Sequence, residues 1–459
     1  MKKTLYKNSL AILAYLLLAI TGFTSCKDDD ASSSSINVES VYLEDASSSV
    51  PDREVTFCRL GQVIRIQGSG FSGLKKIYVN GYSNYFNPVF VTDNNVIFTV
   101  DSDTPIMDAD DSVRNTIRLV KDNGDYSYTF DIRSAAPSIT SISHTLPTEG
   151  DTITIYGSGL TEIDSITFPD GTLVTDGIVS DEDGGYCKVA VPALDDVGGS
   201  ILVHGSNGGA YSPEYFNRHD CVILDFDGTG TQGYWGWTST GSMINASDLE
   251  SGVETGYPVA SQGNYCAHHP SRISSFAASK NRCSEVWTSG SGTTDDWRTY
   301  LTSIIPTTTS VDEVAFQFDM YVPDEWNNSG FLKICLYNSF NGGEWSGYCY
   351  NYVPWVVNSI ATAYQTEGWI TVTIPFSDFY GFSSTTTSYT FEDVIAARES
   401  ASYQNFGIYF ENSDITLSDI TGKETDTSVL SSSATSVEVY TDNWRIVPLE
   451  QPEYSDFGD

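Results

Sequence analysis

Nine tryptophans carry the most distinctive chemistry in this 459-residue chain, and none lies before residue 230: Trp235, Trp237, Trp287, Trp297, Trp326, Trp345, Trp355, Trp369 and Trp444. Ordinary core demands would spread them over every β domain, so their segregation marks the segment from about 219 to 450 as the working part. A flat indole matches the apolar C–H patch on one face of a sugar ring, and amides and carboxylates match the hydroxyls on its rim. Each stacked ring contributes on the order of 1 kcal/mol beyond area burial, and two or three such platforms support roughly micromolar to millimolar binding. Trp297, Trp326, Trp345 and Trp355 sit in loop or hairpin surroundings rich in Gly, Asn and Asp, and are predicted as platforms. Trp369, which begins a strand, and Trp444, in "YTDNWRIV", are predicted to pack in the body of the domain. The competing reading is that these aromatics fill a second core or a domain interface.

Other chemistry is less well supported. A glycoside hydrolase needs two carboxylates about 5–10 Å apart, and Asp225, Asp227, Asp319, Glu344, Glu367, Glu411 and Asp442 are available. With 60 acidic residues in the chain, their abundance carries no information. No GxSxG, HExxH, Walker or GxGxxG motif stands in a suitable setting. The compact "CAHH" at 266–269 is predicted to lie in a loop rather than on a metal. Asp225 or Asp227 in an opening strand and Asp442 in a closing one could share a structural calcium, but solvated carboxylates are the reading preferred, and no cofactor or metal is expected. Cys58, Cys187, Cys221, Cys266, Cys283, Cys335 and Cys349 form an odd set without a CxxC, read mostly as buried thiols.

The elements that would position these residues are strands. In "VAFQFDMY", Val314, Phe316, Phe318 and Met320 share one face, and Ala315, Gln317, Asp319 and Tyr321 the other. In "GWITVTIPF", Ile370, Val372, Ile374 and Phe376 oppose Trp369, Thr371 and Thr373; in "NFGIYFE", Phe406, Ile408 and Phe410 oppose Asn405, Tyr409 and Glu411. Each strand therefore has an apolar face and a mixed aromatic and polar one. One hairpin can be registered: centring a turn on Gly342 pairs Cys335 with Cys349 and Lys333 with Asn351. Leu332, Ile334, Leu336, Tyr348, Tyr350 and Tyr352 then form the greasier face, and Lys333, Tyr337, Trp345 and Asn351 the other. These four join Trp297, Trp326 and Trp355 as the predicted glycan-binding set. One helix is predicted, at 390–400. Many short strands with Gly and Ser turns predict a β-sandwich of jelly-roll type.

The N-terminal half repeats itself. "GQVIRIQGSGFSGLKKIYVNG" at 61–81 and "GDTITIYGSGLTEIDSITFPDG" at 150–171 share an alternating strand, a Gly-Ser-Gly turn and a second strand, with the turns 89 residues apart. The pattern resembles the IPT/TIG immunoglobulin-like domains of bacterial surface proteins. It places one at about 37–134 and a second at about 137–217, joined through Ala135-Ala136-Pro137 and read as spacers. The whole is thus predicted all-β: two Ig-like sandwiches, then a Trp-rich carbohydrate-binding sandwich at 219–450 and a tail at 451–459.

The first 25 residues combine Lys2, Lys3 and Lys7 with a short apolar run from Leu10 to Ile20, the pattern of a cleaved export signal. Phe23-Thr24-Ser25-Cys26 resembles a bacterial lipoprotein box, which implies lipidation of Cys26. Lys27-Asp28-Asp29-Asp30 resembles the acidic signal that sends Bacteroidetes lipoproteins to the outer face of the outer membrane, with residues 26–36 as the tether. A net charge of −37 argues against nucleic acid and anionic lipid while leaving a neutral ligand unpenalised. Taken with the domain order, the chain resembles the surface glycan-binding proteins of Bacteroidetes polysaccharide utilisation loci, of the surface glycan-binding protein B type. That resemblance implies a non-catalytic surface protein that captures a β-glucan, xyloglucan or other hemicellulose beside a SusC/SusD-like transporter, and a monomer is expected. The alternatives are an adhesin for host glycan or protein and, last, a glycoside hydrolase.

Overall fold

The computed structural model describes residues 35–44, 52–233, 243–252, 263–273, 282–338, 347–421, 425–433 and 435–455. Cys26 and the segments read as leader and most of the tether lie outside them. The chain divides into two compact units, Met1–Ala136 and Pro137–Asp459.

In the first unit two four-stranded sheets enclose a core. Asn37–Leu43 and Val63–Ser69 lie at the centre of one, Lys76–Val79 and Thr116–Lys121 at the centre of the other. Alternation puts Ile64 and Ile66 inward against Ile77, Val79, Ile117 and Leu119. The second unit begins with the same arrangement: Thr152–Ser158 pairs with Ser138–Ile142 in one sheet, and Ile163–Thr167 pairs with Leu202–Gly205 in the other.

The repeated Gly-Ser-Gly has a backbone cause. A Cβ on Gly68 would stand 2.0 Å from the Asn37 carbonyl oxygen, and one on Gly157 only 1.8 Å from that of Ser138. Both glycines face a bulge in the paired strand, between Val38 and Ser40 and between Ile139 and Ser141. The second glycine of each triplet, Gly70 or Gly159, takes the left-handed φ that ends the strand.

The C-terminal sandwich packs two sheets face to face. Its strands are β1 (Val222–Leu224), β2 (Cys266–His268), β3 (Arg282–Trp287), β4 (Val314–Tyr321), β5 (Phe331–Cys335), β6 (Cys349–Tyr352), β7 (Ile370–Pro375), β8 (Gly407–Glu411) and β9 (Val439–Pro448). One sheet runs β1-β9-β4-β7, with β2 also on β9; the other runs β3-β8-β5-β6. Phe316, Phe318, Met320, Trp444 and Ile446 from the first meet Leu332, Ile334, Ile408 and Phe410 from the second. The hairpin register is the one counted from the sequence, Cys335 opposite Cys349 and Lys333 opposite Asn351. The helix α1 (Phe391–Ser400) starts at a capping box in which the Thr390 amide donates to the Asp393 carboxylate at 2.8 Å.

The outer face of the first sheet does not lie bare. Ala315 and Val447 join the core of the 138–211 sandwich, and beside them lies a buried polar cluster. Arg445 Nη2 donates to Asp319 Oδ1 at 2.9 Å, to Thr145 Oγ1 at 2.8 Å and to Thr371 Oγ1 at 3.0 Å. Gln317 Oε1 accepts from Arg445 Nε and from Thr145 Oγ1, each at 3.1 Å. His144 Nε2 stands 3.4 Å from Asp319 Oδ2. The second Ig-like sandwich and the Trp-rich one are thereby locked side against side.

Candidate functional site

Beyond that junction the same outer face continues as an aromatic ledge. Tyr321 ends β4, Tyr440 is its register partner on β9, and Trp369 immediately precedes β7. The rings of Tyr321 and Tyr440 stack at 6.1 Å, and those of Tyr321 and Trp369 lie 6.0 Å apart. Tyr265 meets both Trp369 and Tyr440 edge-on from behind. Tyr265 and Tyr440 are buried, whereas Tyr321 and Trp369 are half-exposed. The mixed face expected of these strands is thus divided: Gln317, Asp319 and Thr371 go to the junction, and Tyr321 and Trp369 face outward.

The ledge has a charged rim. His269 bridges Glu250 and Glu438, with its Nδ1 3.1 Å from Glu438 Oε1. The Tyr440 hydroxyl donates to the other Glu438 oxygen at 2.5 Å. Burial alone would lower the His269 pKa, but the two carboxylates outweigh it and raise the pKa. Burial likewise would raise Glu438, but the bonds from Tyr440 and His269 hold it below its usual range. Burial and the bond to Glu438 push the Tyr440 phenol well up. An aromatic floor beside carboxylates suits a neutral, hydroxyl-rich ligand.

The opposite outer face, on β3-β8-β5-β6, carries three of the predicted residues. Lys333 pairs across the strands with Tyr409 on one side and Asn351 on the other. Lys333 is buried, while Asn351, Tyr337 and Tyr409 are half-buried. Asn351 Nδ2 donates to the Asp419 carbonyl at 3.3 Å, and the Tyr337 ring lies 6.0 Å from Tyr348. Trp287, not predicted, lies over Gly407, where a Cβ would come within 2.1 Å of its ring. Its indole N–H donates to Glu285 at 3.0 Å.

Three predicted platforms are core residues instead. Trp326 is fully buried, stacked 5.6 Å from Phe410, and donates Nε1–H to the Ser329 carbonyl. Trp355 is equally buried and donates to the Gly330 carbonyl at 2.7 Å. Trp297 opens a four-residue helical turn and lines a cleft with Asp296 and Gln404, but its ring packs on Phe376 and Phe406 and is capped by the Arg398 guanidinium at 4.3 Å. The polar neighbours of Trp326 and Trp355 are loops pinned by the indole N–H, and all three rings are buried. Trp345 lies outside the described residues. Trp444 is buried as expected, whereas Trp369, also expected to pack in the body, is the most open tryptophan among the described residues.

Several other candidates are held by neighbouring groups, and Glu344 lies outside the described residues. Asp225 accepts the amides of Asp227, Gly228 and Thr229, and Asp227 accepts that of Asn264. The first three residues of "CAHH" form a strand and not a loop: His268 is buried beside Ser284, and burial pulls its pKa down to about 4. Burial alone would raise Asp319, but Arg445 and His144 hold it well below the usual carboxylate range. Among the described residues no group of three or more His, Cys, Asp or Glu could hold a metal ion.

Residues 216–448, just over half the chain, match the family model of the surface glycan-binding protein B xyloglucan binding domain. An IPT/TIG domain-containing protein of Bacteroides ovatus is 27% identical over 168 residues, 36% of this chain and 34% of that protein, so the match spans about a third of the relative. Among solved structures, surface glycan-binding protein PbSGBP-B from Prevotella bryantii superposes with a TM-score of 0.62 at 19% identity, over 91% of this chain and 100% of that one. SGBP-B from a complex xyloglucan utilization locus in Bacteroides uniformis gives 0.45 at 16% identity, over 90% and 100%. The likeness to the Prevotella structure is one of fold.

Proposed function

The chain belongs to the surface glycan-binding protein B xyloglucan-binding-domain family, and from that premise we propose that it is a non-catalytic cell-surface protein that captures a neutral β-glucan, xyloglucan or related hemicellulose. In this reading Trp369 and Tyr321 form the stacking floor, and Glu438 and Glu250 accept hydroxyls at its rim. The half-exposed Trp369–Tyr321 pair carries the assignment, because a sugar ring needs an open aromatic face and the other described tryptophans are buried. Cys26 carries the lipid that holds the protein at the outer membrane facing outward, and a SusC/SusD-like transporter receives the captured chain.

Affinity electrophoresis of the mature protein against xyloglucan, mixed-linkage glucan, mannan and xylan tests this. Retardation in at least one glucan gel, lost in Trp369→Ala and Tyr321→Ala, is the expected result, with no reducing sugar released on long incubation. Loss in Asn351→Ala or Tyr337→Ala with the ledge variants unaffected would move the site to the opposite sheet. Steady release of reducing ends would replace capture by hydrolysis.

A further inference from the structure

We propose that Cys335 and Cys349 form a cross-strand disulfide in the exported protein. They are direct register partners on β5 and β6. The Leu336 amide donates to the Tyr348 carbonyl at 3.0 Å, which makes that neighbouring pair the hydrogen-bonded one. Bonding alternates along an antiparallel ladder, so Cys335 and Cys349 occupy a non-hydrogen-bonded pair. The backbone of Cys349 agrees: its amide donates to Gly347 and its carbonyl accepts from Tyr380, each at 2.8 Å, and neither turns to Cys335. At such a pair the Cα atoms stand about 4.5 Å apart with both side chains on one face, inside the roughly 4.4–6.8 Å span a disulfide requires.

No other described cysteine stands opposite a second cysteine in a strand register. Cys58 faces Ile132, Cys187 faces Ile155 and Ser180, Cys266 faces Thr441 and Cys283 faces Phe410. All four, and Cys221, are buried. Cys335 is half-exposed and therefore open to attack chemistry. Its thiolate attacks the disulfide of an extracytoplasmic dithiol–disulfide donor and expels one donor thiolate. Cys349 then gives up its proton and displaces the second donor sulfur. The chain's two thiols are oxidised to one S–S bond, and the donor disulfide is reduced to a dithiol. The bond closes the 335–349 hairpin two register positions from Lys333 and Asn351.

The test uses the mature protein taken from cells that export it, scored on chains whose leader has been removed. Free thiols are alkylated in denaturant before any reduction, and the digest is mapped by mass spectrometry. Cys335 and Cys349 should escape alkylation and appear in one linked peptide, with the other five cysteines labelled. In parallel, reduced protein is equilibrated in a glutathione redox mixture. Closure should raise the melting temperature by roughly 5–10 °C, a shift absent from Cys335→Ser and from Cys349→Ser. Alkylation of both cysteines in the cell-derived protein overturns the proposal even if the bond forms in the redox mixture, and so does a bond that joins either one to another cysteine.

Discussion

An indole in this sandwich has one of two jobs, and burial decides which. Trp326 fills core volume while its N–H ties down the Ser329 carbonyl, so Trp326→Ala should cost roughly 3–5 kcal/mol of stability, read by chemical denaturation. Trp369 keeps part of its ring in solvent. Trp369→Ala should weaken glucan binding tenfold or more, about 1.4 kcal/mol, with a smaller stability loss than Trp326→Ala; the reverse ordering would make the ledge mere packing. The polar residues around Trp297, Trp326 and Trp355 pointed outward in the sequence because composition reports the loop and not the ring: the Trp326 N–H reaches back to the Ser329 carbonyl, the Trp355 N–H reaches the Gly330 carbonyl, and the Trp297 ring is held by Phe376, Phe406 and Arg398. His269 offers a pH test. Its folded pKa is raised, so the stability it adds is full below the unfolded value of about 6.5 and fades as pH rises through the folded one. The melting-temperature gap between wild type and His269→Gln should therefore be widest in mild acid and close as pH increases. A gap independent of pH would mean that His269 does not hold the rim as an imidazolium.

At the level of elements, period-two alternation was enough to find β4, β7 and β8 and to choose their inward faces, and turn counting was enough to register β5 with β6. It failed at β3, where a bulge between Cys283 and Val286 breaks the alternation and hides Trp287 on the outer face. Nor does alternation say what covers an outer face: Gln317 and Asp319 look like a solvated or ligand-facing pair until the neighbouring sandwich is placed on them. The Gly-Ser-Gly repeat was legible as a turn, but its cause, a carbonyl of the adjoining strand where a side chain would go, is a contact between strands that no local pattern contains. Gly157→Ala should cost about 1–3 kcal/mol or more, because its Cβ meets the Ser138 oxygen at 1.8 Å and only backbone movement relieves the clash. Urea denaturation reads it, and a midpoint equal to wild type would show that the close approach is not enforced.

For the molecule as a whole, the junction changes what the second Ig-like sandwich is for. A spacer needs only to be folded and long, whereas residues 137–217 also supply Thr145 and His144 to a cluster centred on the fully buried Arg445–Asp319 pair. Such a pair adds little net stability over an apolar filling, but removing one partner strands the other charge, at about 3–5 kcal/mol. Asp319→Ala should therefore destabilise the full mature chain by that order while leaving Trp369 and Tyr321 in place. The Asp319 pKa is depressed in the folded state, so its contribution is full above the ordinary carboxylate value of about 3.9 and is lost as pH falls from there through the depressed folded value. A fragment of residues 219–459 has the aromatic ledge, yet it exposes Ala315, Val447 and the Arg445 cluster. It should melt below a fragment of residues 137–459, and strong acid should narrow the difference as pH falls through the depressed folded pKa of Asp319. Equal melting temperatures at neutral pH would return residues 137–217 to the role of spacer and would mean that the cluster is no more than a contact between independently stable domains.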